Sequence, residues 1–109
     1  MTWVKVADDS SIGEARIVPI DVAGKELVLI RHRGMLHALD RRCYHMMGDL
    51  SEGKLTDREL TCPRCGSIFD VETGKNILGP RLGVVRMHCR DERAYHVKVE
   101  GGAVFVRID

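Results

Sequence analysis

The chain has 109 residues, 44% hydrophobic and 30% charged, the proportions of one ordinary folded domain with a modest core. Seventeen basic residues against sixteen acidic leave a formal charge of +1, which offers no basic stripe to nucleic acid and no case for a membrane surface. No apolar run approaches the roughly 20 residues of a spanning helix, and Met1-Thr2-Trp3-Val4-Lys5 lacks the charged-then-apolar layout of a signal peptide. A soluble cytoplasmic protein is expected, and there four cysteines read as ligands before disulfide partners.

In chain order, Trp3-Val4-Lys5-Val6 alternates and predicts a first strand, followed by a polar loop over 8–14. Arg16–Val22 is apolar and β-branched, and its Pro19 directs it to a sheet edge. Ala23-Gly24 turns the chain into Glu26–Arg31, a near-continuous apolar strand of the kind buried on both faces. Arg33-Gly34 turns it again into Met35–Asp40. Residues 53–56 and 59–61 predict a hairpin about Asp57-Arg58, Ser67–Val71 a strand and Glu72–Lys75 a turn. The segment Asn76–Glu92 is poorly patterned, with a loop at Gly79-Pro80 and a short strand over Val84–Met87. Tyr95–Glu100 and Ala103–Ile108 flank Gly101-Gly102 as a terminal hairpin. Short strands at about ten-residue spacing with Gly-containing turns predict an all-β sandwich or barrel. Trp3, Tyr95 and Phe105 are expected in its core. His32, His37 and His96 are expected at the surface.

One stretch interrupts this pattern. Cys43-Tyr44-His45 is followed after sixteen residues by Cys62-Pro63-Arg64-Cys65, and the hairpin between them returns Cys62 beside Cys43. Two ligand pairs on two loops can close on one centre, and thiolates with an imidazole select zinc or iron–sulfur chemistry over calcium or magnesium. A redox disulfide between Cys62 and Cys65 would suit a βαβ context, which is missing here. Cys89, beside His88, reads as a lone cysteine in a strand or loop. Met46-Met47 reads as an apolar cover over the centre.

These residues resemble the Rieske iron–sulfur family, whose signature is Cys-x-His, a spacer of this length, and Cys-x-x-His. Gly48 and Leu50 after the first box fit as well. So do Pro63, Gly66-Ser67, Phe69-Asp70, Thr73-Gly74 and Gly79-Pro80 in and after the second. The similarity covers most of the chain. It implies one domain over 1–109, with antiparallel base strands in about 1–40 and 81–109 and an inserted cluster-binding tip over about 41–80. It further implies a 2Fe-2S cluster, with Cys43 and Cys62 on the inner iron and His45 on the outer iron. Position 65 departs from the pattern, because a cysteine stands where the family has its second histidine.

A ligand set of Cys43, His45, Cys62 and Cys65 carries one more negative charge than two cysteines with two imidazoles. The oxidised state is then favoured, and a potential between the Rieske and plant-type ranges is expected, from about −150 down toward about −400 mV. One imidazole instead of two allows at most one coupled proton at the outer iron. The resemblance places Ser67 where a hydroxyl bonds a cluster sulfur, and Phe69 where higher-potential members have tyrosine. The same four donors also make a closed tetrahedral site for zinc, or a rubredoxin-like site for a single iron. The chain thus reads as a small monomeric electron carrier, not an enzyme, passing single electrons between a reductase and an acceptor such as an oxygenase. The alternatives are a metal-stabilised binding module and a fixed subunit of a larger redox enzyme.

Overall fold

The structure is a computed structural model and describes residues 2–44, 47–82, 85–86 and 89–108. Strands β1 (Thr2–Asp8), β2 (Ile17–Val22), β3 (Lys25–His32) and β4 (Met35–Asp40) precede the first cysteine loop. Strands β5 (Lys54–Thr56), β6 (Glu59–Thr61), β7 (Ile68–Asp70) and β8 (Asn76–Leu78) surround the second. Strands β9 (Arg81–Leu82), β10 (Val85–Arg86), β11 (Ala94–Tyr95), β12 (Val97–Glu100) and β13 (Ala103–Ile108) follow. Every pairing among them is antiparallel. The chain is all-β, with the β5-β6-β7-β8 sheet inserted between strands of a β base.

Strand β3 is the centre of the packing. Leu27, Val28, Leu29 and Ile30 are all completely buried, although successive side chains of a strand face opposite ways. Each face therefore has its own cover. Leu27 and Leu29 join Val22, Ala38, Tyr95, Val104 and Val106 on one side, while Val28 and Ile30 join Leu39, Cys43, Leu50, Leu60, Phe69 and Val71 on the other. The β11-β4-β3-β2 sheet thus lies between the β1-β13-β12 sheet and the inserted β5-β6-β7-β8 sheet. Burying each such side chain stabilises by about 1.5–3 kcal/mol, so the sheet fixes both neighbours.

Strand β2 lies at the sheet edge, with Pro19 opposite Val28, where a missing N–H costs no ladder bond. The turns Ala23-Gly24, Arg33-Gly34 and Gly101-Gly102 each have positive φ at both central residues, the mirror-image turn that matches strand twist. Arg33 takes that conformation with support, since its N–H and that of Gly34 donate to the Glu14 carboxylate at 2.7 and 2.8 Å.

Several expectations are corrected by packing. Trp3 is not core: it is 37% exposed, with the Lys98 ammonium 4.4 Å above its ring. Phe105 is only half-buried, whereas Tyr95 is buried. His32 is buried rather than surface, its Nε2 3.5 Å from Asp57 Oδ1; His37 is half-buried and His96 exposed. The expected strand Tyr95–Glu100 breaks at His96, because β11 pairs with β4 while β12 pairs with β13. Within Asn76–Glu92, β8 extends the inserted sheet, and β9 with β10 makes a small separate ribbon. Of the strand expected over 84–87, Val84 and Met87 lie outside the described residues.

Candidate metal centre

The first loop leaves β4 through a chain of backbone and side-chain bonds. Arg41 N–H donates to Glu26 O at 3.0 Å, Leu50 N–H to Arg41 O at 2.8 Å, and Cys43 N–H to Gly48 O at 2.8 Å. Asp49 is its clasp. Its carboxylate accepts Arg41 Nε and Nη2 at 3.0 and 2.9 Å and caps the following 3-10 turn through Ser51 N at 2.9 Å. These bonds, Arg41 foremost, hold the Asp49 carboxyl far below the usual carboxylate range.

The second loop is a knuckle. Gly66 N–H returns to Cys62 O at 3.0 Å and Cys62 N–H to Ser67 O at 2.8 Å, with Gly66 at φ +77°, a conformation glycine adopts without steric cost. Arg81 N–H donates to Cys65 O at 2.9 Å and ties the knuckle to β9. Behind it, Leu60 and Phe69 are opposite one another and fully buried. Gly74 N–H donates to Asp70 O at 2.7 Å, which gives the Phe69-Asp70 and Thr73-Gly74 pairs a structural role.

The two loops bring the Sγ atoms of Cys43, Cys62 and Cys65 within 4.8 Å of one another, all buried. The Cys43 and Cys65 sulfurs are 3.6 Å apart. Cys62 is pulled well below the ordinary thiol range, first by its hydrogen bond from Cys43, then by the backbone N–H groups of Cys65 and Arg64. A thiolate is the form that binds metal. Ser67 is completely buried with its Oγ 3.1 Å from Cys65 Sγ. Gly48 leaves the room for this: a Cβ there would lie 2.5 Å from Cys62 Sγ. Soft, buried, preorganised sulfur donors fit iron–sulfur or zinc chemistry. Three sulfurs at this spacing would also suit one tetrahedral ion. His45, Met46 and His88 lie outside the described residues, and Met47 is 58% exposed rather than a buried lid.

A family profile described as "Rieske [2Fe-2S] domain" matches residues 2–89. The chain belongs to the Rieske 2Fe-2S family. Its relatives include the ferredoxin component of the naphthalene 1,2-dioxygenase/salicylate 5-hydroxylase systems of a Ralstonia species, 33% identical over 107 residues, covering 98% of this chain and 96% of that one. Among solved structures, the ferredoxin of carbazole 1,9a-dioxygenase from Nocardioides aromaticivorans IC177 superposes with a TM-score of 0.82 at 28% identity, covering 97% of each chain. A complex of reduced oxygenase and oxidised ferredoxin in carbazole 1,9a-dioxygenase matches with a TM-score of 0.78 at 28% identity, over 95% of this chain and 91% of that one. The family resolves the choice of centre in favour of a 2Fe-2S cluster.

Beside this Rieske tip the structure reveals groups that periodicity could not. Cys89 is not an isolated cysteine: it is 6% exposed and packs in the same buried cluster as Cys43, Cys62 and Cys65. Asp40 accepts the hydroxyls of Tyr95, at 2.6 Å, and of Tyr44. Arg90 and Arg93 lie over the rings of Tyr44 and Tyr95 at 4.2 and 4.7 Å. Glu92, 3% exposed, accepts Tyr44 N–H at 3.3 Å through Oε1, while Oε2 has no partner among the described residues.

Burial, chiefly, pushes the Glu92 carboxyl up to about 8, with the negative charges of Asp40 and Cys62 adding to the rise. A carboxyl whose folded value lies above its unfolded value of 4.5 favours folding below that unfolded value. The advantage is lost as pH rises through about 8. Thermal unfolding at pH 6 and pH 9 checks this. Wild type should lose stability between the two, and Glu92→Gln should be more stable than wild type at pH 9 by up to about 3 kcal/mol.

Proposed function

We propose that this chain is a cytoplasmic, monomeric Rieske-type ferredoxin, a single domain over 1–109 that passes single electrons from a reductase to an acceptor such as an oxygenase. It acts as an electron-transfer component, not as an enzyme. The observation that carries the proposal is the convergence of three buried thiols from the two boxes inside a Rieske scaffold. The partners follow from the relatives that match nearly end to end, which are ferredoxin components of oxygenase systems, and from the ferredoxin–oxygenase complex. Among the described residues no helix is long and apolar enough to cross a membrane.

In this proposal Cys43 and Cys62 hold the inner iron, and His45 and Cys65 the outer iron. The bound cluster supplies a one-electron couple. The chain's own residues set what that couple costs. Leu50, Leu60, Phe69 and Val71 keep water from the inner side, Ser67 offers a hydroxyl to Cys65 Sγ, and the Cys65 thiolate favours the oxidised state. The exposed Met47 and the surface formed by Arg42, Asp49, Pro63 and Arg64 flank the loops, and a partner would dock there.

Purified protein should be brown, with thiolate-to-iron absorption and about two irons and two acid-labile sulfides per chain. Dithionite should bleach it with uptake of one electron. A colourless protein with one zinc, or a single iron without sulfide, would refute the carrier and favour a metal-stabilised binding module.

A further inference from the structure

We propose that the chain carries a docking site for an acidic segment of its redox partner, in which Arg90 and Arg93, each held on a tyrosine ring, grip a carboxylate beside the first ligand loop. The inference rests on the carrier reading above and names the chemistry of the partner.

The site starts from Asp40 at the end of β4. Its carboxylate accepts the hydroxyls of Tyr44 and, at 2.6 Å, of Tyr95, so two rings from distant parts of the chain are anchored at one point. The Arg90 guanidinium lies 4.2 Å from the centre of the Tyr44 ring and that of Arg93 4.7 Å from the centre of the Tyr95 ring, and a cation over a ring face is attracted to it. The backbone that carries both arginines is fixed as well. Glu92 N–H donates to Gly74 O at 2.8 Å, and Arg93 O accepts Asp40 N–H at 3.0 Å. Both arginines stay exposed. With Lys25 they line a cavity of about 540 Å³.

Charge decides what this cavity takes. The carboxylates around it are engaged or out of reach: Glu26 faces Arg41 and Arg42 at 3.7 and 3.4 Å, the tyrosines occupy Asp40, Asp91 accepts Asn76 N–H at 2.8 Å, and Glu92 is 3% exposed. Arg90, Arg93 and Lys25 form no ion pair with a carboxylate among the described residues. Like charges kept together without a counter-charge repel one another. An incoming carboxylate relieves that repulsion and meets the planar donor fork of arginine. Because the rings already hold the guanidiniums, little side-chain freedom is lost on binding. A protein segment is favoured over nucleic acid, since these cations gather at one cavity instead of forming a stripe. The position suits electron transfer. Tyr44 stands between Cys43 and His45, and Arg42 lines both this cavity and the one beside Met47 and Arg64. An acidic segment seated here therefore continues the surface at which a partner meets the tip.

The test uses the full cluster-loaded chain with a hexa-aspartate peptide as probe, titrated by calorimetry at low and at physiological salt. Wild type should bind saturably, and more weakly as salt screens the contact. Arg90→Gln and Arg93→Gln should each weaken binding about tenfold, the loss expected for a hydrogen bond to a charged group. Arg93→Lys should weaken it too, because an ammonium keeps the charge but not the fork. Arg16→Gln removes the same charge from an exposed position beside β2 and should bind as wild type does. Saturating peptide should also slow oxidation of the dithionite-reduced protein by hexacyanoferrate(III), an anion that takes one electron from the cluster. The proposal is overturned by no saturable binding, by unchanged oxidation at saturation, or by tighter binding of hexalysine or an oligonucleotide. Equal losses in Arg16→Gln and Arg90→Gln, or wild-type binding by Arg93→Lys, would overturn it in favour of a diffuse field. A wild-type chain without acid-labile sulfide would instead sink the carrier reading, a failure visible before any titration.

Discussion

Cys65→His should raise the midpoint potential by on the order of 100–200 mV, from below the Rieske range into it. The reason is charge. A thiolate at position 65 contributes −1 in both redox states, and reduction adds a further negative charge to the same buried pocket. A neutral imidazole removes the first of these. The pocket magnifies the difference, because Cys65 is only 8% exposed and its sulfur is 3.6 Å from that of Cys43, where water screens little. The backbone should tolerate the change, since Cys65 O keeps its bond from Arg81 N–H and Gly66 still forms the knuckle. Voltammetry should also show a steeper pH dependence, because a second imidazole adds a second titratable ring nitrogen. A variant whose potential stays at or below wild type would show that Cys65 does not bind the redox centre.

Gly48→Val should abolish cluster assembly while leaving the β base folded. A Cβ at position 48 would come 2.5 Å from Cys62 Sγ and 3.0 Å from Arg64 Cβ, distances at which something must move. Cys62 cannot move freely: it is 1% exposed, its N–H is bonded to Ser67 O at 2.8 Å, and its sulfur accepts backbone N–H groups of the knuckle. The alternative is to push the first loop outward and break the 2.8 Å bond between Cys43 N–H and Gly48 O. Overpacking of this kind costs about 1–3 kcal/mol, and displaced outer-shell groups cost about 10–100-fold in affinity for the metal. Iron per chain should fall well below half of wild type, with the far-ultraviolet circular dichroism unchanged. Gly13→Ala is the control, because the nearest atom to its Cβ, Arg16 Cγ, is at an ordinary 3.6 Å; its iron content should equal wild type. Full loading of Gly48→Val would mean that the close approach of the two loops is not needed for binding.

What could be read from residues alone was what the covalent chain enforces locally. Pro19 announces an edge strand because a residue without N–H cannot serve an inner ladder. Ala23-Gly24 and Gly101-Gly102 announce tight hairpins because glycine accepts positive φ. The spacing of Cys43 from Cys62 announces two loops that meet because a hairpin of that length returns to its origin, and their sulfurs lie within 4.8 Å. The apolar run Glu26–Arg31 announces a strand covered on both faces, and the two apolar clusters about Leu27–Ile30 are that cover.

What tertiary structure alone decided concerns groups whose surroundings come from distant parts of the chain. Trp3 lies on an outer face although its residue type suggests core, and His32 is buried although its polarity suggests water. The strand about His96 divides because its two halves find partners in different sheets. Cys89 and Glu92, with no motif around them, reach the cluster pocket because 89–93 is clamped between Gly74 and β4. The physical reason is range: turn preference and alternation act over two to four residues, whereas burial and charge environment are properties of layers that exist only after the sheets have packed.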